Sequence, residues 1–230
     1  MNLPAAAGNI TPMNLALLFV LRLCLPAPPL ELTDEVVAEV GGEIITRSEV
    51  ILEARLILME RQGASRALAE PSPEFLDQVL EMLINQRLLV QEAQRLGLEQ
   101  VSLSERQQLV EEFARLFADE AQMQTFLERL GLGREELAGI LARHLMVERV
   151  KEYRLRSLPP VSDREVEAYY LKNARELGGR RLSEVAEAIR LRLLTDRRQK
   201  HLSAWLEQLK RQARLRVIVF FGARSEAGGQ

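Results

Sequence analysis

Apolar side chains change their spacing several times along this chain, and each change marks a new element. Val36-Val37-Ala38-Glu39-Val40 is β-branched, Gly41-Gly42 supplies the positive φ of a two-residue hairpin turn, and Glu43-Ile44-Ile45-Thr46 runs back. This predicts a small β-hairpin. Thr46 with Glu49 three residues later has the form of a capping box, so a helix is expected from near Ser48 to about Arg61, with a loop over 63–71. Ser72 before Pro73 opens the next helix, in which Leu76, Val79, Leu80, Leu83, Ile84 and Leu88 recur at intervals of three and four up to Gly97.

Ser102 with Glu105 is a second capping box, and the helix behind it carries Leu109, Val110, Phe113, Leu116 and Phe117 on one face. A short helix is expected from Met123 to Leu130. After Gly131 and Gly133 another runs from Glu135 to about Arg156 with Leu137, Ile140, Leu141 and Leu145 on one side. Leu158-Pro159-Pro160 breaks the pattern. Ser162 with Glu165 caps a short helix bearing Tyr169 and Tyr170, and Gly178-Gly179 ends that segment. A long amphipathic helix over 182–212 passes through Val185, Ile189, Leu193, Leu202, Trp205, Leu206 and Leu209, and Leu215 to Phe221 reads as a last strand.

A lone hairpin is marginal in water, and a lone strand has no partner, so the economical arrangement pairs the two ends in one sheet. The expected fold is mostly α, a helical body with a small antiparallel β-sheet formed by the N-terminal hairpin and the C-terminal strand. Composition agrees, since only 5% of residues are aromatic and the 31 bases nearly balance the 33 acids. One cysteine and two histidines exclude a Cys-rich zinc site or an iron–sulfur cluster.

Residues 1–30 differ from the remainder. They hold no acid and one base, Arg22, with the apolar runs Leu15 to Leu21 and Leu23 to Leu25. That length is short of the ~20 apolar residues that cross a bilayer and suits the h-region of an export signal. A leader over 1–30 and a mature, exported chain over 31–230 are expected. The signal is atypical, because no base precedes the apolar run and Pro28-Pro29 stands where small residues should allow cleavage. Cys24 follows Leu21 at lipoprotein-like spacing, but Leu23 occupies the small-residue position. Membrane contact is expected only through an uncleaved leader or lipidation at Cys24.

With the order of elements in place, the segment from Val36 to Val50 resembles the opening of the SurA-like periplasmic chaperones. Leu83-Ile84-Asn85-Gln86-Arg87-Leu88-Leu89-Val90-Gln91-Glu92-Ala93 with Leu96-Gly97 resembles that family's second helix. Val161-Ser162-Asp163-Arg164-Glu165-Val166-Glu167-Ala168-Tyr169-Tyr170 is similar to its approach to the prolyl-isomerase region, and Trp205 to Ala213 with the following strand to the helix and strand that return to the core. The resemblance implies one helical chaperone module: an N-terminal part over 35–158, a short helix and linker over 159–181, and a returning helix and strand over 182–221. It further implies unfolded or extended polypeptides as partners, outer-membrane proteins among them, in the periplasm. Relatives commonly insert a parvulin-type isomerase after the Tyr-Tyr helix. A folded α/β domain needs at least ~50 residues, and Leu171 to Arg181 offers far fewer, so isomerase activity is not expected. A structural adaptor dedicated to one partner is the other reading, as is an isomerase-family member whose catalytic domain is degenerate or lost.

No catalytic residue, metal site or cofactor is expected. His144 stands between Leu141 and Leu145 as a packed or half-exposed side chain, and His201 after Arg197-Arg198-Gln199-Lys200 reads as solvated. The pairs Glu111-Glu112 and Glu135-Glu136 read as solvated faces. Between Arg180 and Arg216 eleven bases face four acids, but they spread around a helix and Trp205 falls on its apolar side. A solvated surface is expected, with capture of an acidic client or lipid as the other possibility and no nucleic-acid partner. Residue by residue, Met59, Phe113, Leu116, Phe117, Met123 and Phe126 read first as ordinary core, though flexible methionines with phenylalanines also suit a surface that accepts many apolar sequences. The resemblance points to the second, making these six the candidate peptide-binding residues.

Overall fold

The computed structural model describes residues 34–222; the expected leader, with Cys24, lies outside them. Strands β1 (Val36–Val40) and β2 (Glu43–Thr46) form the hairpin, with Gly41 at φ 59° and Gly42 at φ 91° in its turn. Helices α1 (Arg47–Gln62), α2 (Ala64–Ala67), α3 (Pro73–Arg95), α4 (Leu103–Ala114), α5 (Glu120–Leu130), α6 (Arg134–Leu155), α7 (Asp163–Asn173) and α8 (Leu182–Gln212) follow, then β3 (Leu215–Val217). The sheet order is β2-β1-β3, antiparallel throughout, with Ala38 opposite Val217 and Glu39 opposite Arg216. The ends of the chain's patterned region therefore meet, as expected from the marginality of an isolated hairpin.

Side-chain caps place the helix starts. Ser72, Ser102 and Ser162 each accept the backbone N–H three residues on, and Glu105 and Glu165 complete the last two as capping boxes. Thr46 forms only half of the expected box. It accepts the Glu49 N–H, whereas the Glu49 carboxylate turns to Arg87 on α3; a half-buried guanidinium is the stronger partner. The expected loop over 63–71 contains α2. Helix α5 starts earlier than its apolar pattern suggests because Asp119 accepts the Gln122 N–H at 2.8 Å.

The final strand is shorter than expected, ending at Val217 rather than Phe221. The Asp77 carboxylate accepts the N–H of Phe221 at 2.7 Å and of Gly222 at 3.0 Å, drawing that backbone away from the sheet and onto α3. Phe221 is buried there with Val37, Val40, Ile45, Val50, Leu80 and Leu83, and the Arg47 guanidinium lies 4.7 Å from its ring centroid.

Helix α8 buries opposite faces in its two halves. Val185 and Ile189 pack with Val161 and Val166, forming a small core with α7. Trp205, roughly 160° farther round the helix at 100° per residue, packs instead with Leu89, Ala93, Val147 and Val150 of α3 and α6. A third core joins α1, α2, α4, α5 and α6 through Met59, Phe113, Met123, Phe126, Leu127 and Leu137.

Candidate functional site

Helix α4 is fastened to α6 at one end. Arg149 donates to the Gln100 carbonyl at 2.6 Å and pairs with the Glu105 carboxylate. Hydrogen bonds from the Ser102 backbone and hydroxyl, with Arg149 beside them, hold Glu105 below the ordinary carboxylate range. Farther along, α4, α6 and the end of α1 enclose an open groove of about 500 Å³. Leu109, Phe113, Leu116, Leu141 and Leu145 make its apolar lining, and Glu60, Glu112 and Glu148 stand on it as exposed acids.

His144 completes the wall. Its Nε2 lies 2.7 Å from Oε1 of Glu53, a residue only 4% exposed. The two atoms are close enough to form an ion pair but are not aligned as a hydrogen bond. Arg143 is beside this pair, and burial together with the Arg87 charge lowers its guanidinium below its usual value. Glu49, Glu53, Arg87, Arg143 and His144 thus bring polar and charged side chains of α1, α3 and α6 together.

The six sequence-predicted residues divide between interior and surface. Met59, Phe113, Met123 and Phe126 are buried in the α1–α6 core, Phe117 is half-buried, and Leu116 is 43% exposed. The Phe117 ring lies 5.7 Å from that of Phe113 and 5.4 Å from that of Phe126, both tilted. Phe113 and Leu116 line the groove just described. Phe117 and Phe126 line a second one of about 360 Å³, with Ala64, Leu68, Asp119 and Arg129. Met59 and Met123 are 4% and 0% exposed and belong to the same core cluster as Phe113 and Phe126.

The basic stretch from Arg180 to Arg216 is partly neutralised from within. Arg181 pairs with Glu184, Arg190 with Asp163 and Glu187, Arg197 with Glu165, and Lys210 with Glu81. Arg197 also donates to the carbonyls of Pro159 and Pro160, at 2.7 and 2.9 Å. Arg190, Arg197 and Lys210 fasten α8 to α7, to the proline linker and to α3. His201 is half-buried rather than solvated, because it shares the flank of α8 that carries Leu202 toward the α3–α6 core. Among the described residues no three His, Cys, Asp or Glu side chains converge as a metal site.

A profile of the SurA-like N-terminal domain matches residues 15–151, which include β1 to α5, most of α6 and both grooves. The chain belongs to the SurA-like N-terminal domain family. It is 31% identical over 143 residues to the chaperone SurA of Cupriavidus metallidurans, covering 62% of this chain and 29% of that one. To the chaperone SurA of Pseudomonas fluorescens it is 32% identical over 153 residues, 66% of this chain and 34% of that one. The chain therefore spans about a third of the length of the curated relatives it matches. Within this SurA-like chain α7 passes to α8 through residues 174–181 alone.

Sequence reasoning missed Leu109, Leu141 and Leu145 as parts of the groove, did not single out Glu53 beside His144, and treated Glu112 as a plain solvated acid. For Glu53 a signal existed: it lies three residues after Val50 and beside Ala54, on the buried side of α1. The acids of the rim come from three separate helices, a convergence that spacing along one helix does not reveal.

Proposed function

We propose that this SurA-like chain is an exported, ATP-independent chaperone that binds unfolded or extended polypeptides, outer-membrane proteins among them, without prolyl-isomerase activity. The observation that carries this reading is the α4–α6 groove, where Leu116 stands 43% exposed over an apolar lining. An open apolar groove is where a soluble protein receives apolar side chains from another chain. The relatives that share the N-terminal region are named chaperones. Its action would be a binding equilibrium, in which contacts with the apolar lining offset the cost of ordering an extended client. Met59, Phe113, Phe117, Met123 and Phe126 would support this surface from the core beneath it, with Leu116 touching the client.

The test is dilution of an unfolded, reduced outer-membrane protein into buffer containing the purified chain and no nucleotide. Light scattering should fall as the chain approaches stoichiometric amounts. Unchanged scattering at several-fold molar excess overturns the reading. Capture of a single protein from an envelope extract, with no effect on unfolded clients, would replace it with a dedicated adaptor. Catalysed isomerisation of a proline peptide above the spontaneous rate would remove the last clause.

A further inference from the structure

We infer that the α4–α6 groove selects apolar segments flanked by lysine or arginine. The inference rests on the proposed binding of polypeptides and adds the chemistry of the preferred client. Three carboxylates from three helices stand on this groove: Glu60 from α1, Glu112 from α4 and Glu148 from α6. All are exposed, and Glu60 and Glu112 have no ion-pair partner among the described residues; Glu148 pairs only with Lys151 on its own helix, at 2.7 Å. No lysine or arginine lines the groove. Its one basic side chain, His144, is engaged through Nε2 by Glu53 at 2.7 Å, on the interior side.

The neighbouring hollows mix both signs of charge. The groove at α5 combines Asp119 with Arg129, and the hollow between the first turns of α4 and α6 sets Arg106 and Arg134 against Glu111 and Glu135. Only the α4–α6 groove, of these three, joins an apolar lining to carboxylates with no compensating lysine or arginine. An incoming segment whose apolar side chains fill the lining places its flanking residues at those acids. A flanking cation is attracted there and a flanking anion repelled, each exposed contact changing affinity by about twofold. Two or three such contacts give roughly a four- to eightfold preference for a basic over an uncharged flank at low ionic strength, screened away as the Debye length contracts.

Three fluorescent peptides sharing one apolar core and flanked by Lys, Ser or Asp would be titrated with the full chain by anisotropy. Affinity should follow Lys, then Ser, then Asp, with Lys about four- to eightfold tighter than Ser at low salt. The ratio should approach one at about 0.5 M salt and fall to about twofold or less in the double variant Glu60→Gln/Glu112→Gln, whose exposed substitutions leave the fold intact and which retains Glu148. Asp119→Asn in the neighbouring groove should leave the ratio unchanged. Equal binding of all three peptides, or a ratio insensitive to the double variant, overturns the selectivity while leaving the proposed function standing. Failure of all three to bind overturns both.

Discussion

His144 Nε2 and Glu53 Oε1, 2.7 Å apart, join α6 to α1 directly behind the groove wall. Glu53 is 4% exposed, so without His144 its buried carboxylate would lose a close polar neighbour. His144→Ala should therefore destabilise the fold by about 2 kcal/mol, below the usual cost of breaking a fully buried pair because His144 is one-third exposed. Urea denaturation of His144→Ala, Glu53→Gln and the double variant should give non-additive losses. Additivity within about 0.5 kcal/mol would show that the two groups act independently.

Asp77 holds the end of the chain's patterned region through two N–H groups, at Phe221 and Gly222. Asp77→Ala frees both donors and loosens Phe221 in its socket, at a cost of about 1–3 kcal/mol. Amide exchange at Phe221 and Gly222 should accelerate well before exchange in β1, which keeps its pairing with β2. Equal acceleration throughout the sheet would argue against a local clamp.

Core and groove make separable predictions. Met123, fully buried beside Phe126 and Leu127, should cost about 3 kcal/mol when cut to alanine. Leu116→Ser removes an exposed side chain and should change stability by less than about 0.5 kcal/mol. Thermal melts of the two variants check the contrast, and comparable destabilisation would place Leu116 in the core.

Acid should weaken the helix starts at Ser102 and Ser162. Hydrogen bonds from those serines hold Glu105 and Glu165 below their ordinary value of 4.5, so each carboxylate stabilises the fold above that value. The contribution is lost as pH falls through the depressed native pKa. Stability should decline below about pH 4.5, and Glu105→Gln with Glu165→Gln should flatten that part of the profile. An unchanged slope would exclude both boxes as its source.

The fold was legible where one local signal decided the outcome. Ser72, Ser102 and Ser162 announce their helices, Gly41-Gly42 the hairpin, and the pairing of β3 with β1 follows from the need of each for a partner. What escaped notice depends on distant residues. The Glu49 carboxylate left its expected cap for Arg87, and Asp77 ended β3 from across the molecule. For the candidate site, the periodicity identified Phe113 and Leu116 as apolar positions, but one spacing serves core and groove alike. Packing against α6 decides that Phe113 is 4% exposed and Leu116 43%.

The central claim is that the α4–α6 groove receives unfolded polypeptide. Its most direct measurement is the affinity of the full chain for a fluorescently labelled unfolded outer-membrane protein, compared with that of the Leu109→Ser/Leu116→Ser variant. A variant with an unaltered helical spectrum and at least tenfold weaker binding is the predicted result, equivalent to about 1.4 kcal/mol lost from the groove. Equal affinity of the two proteins would contradict the account.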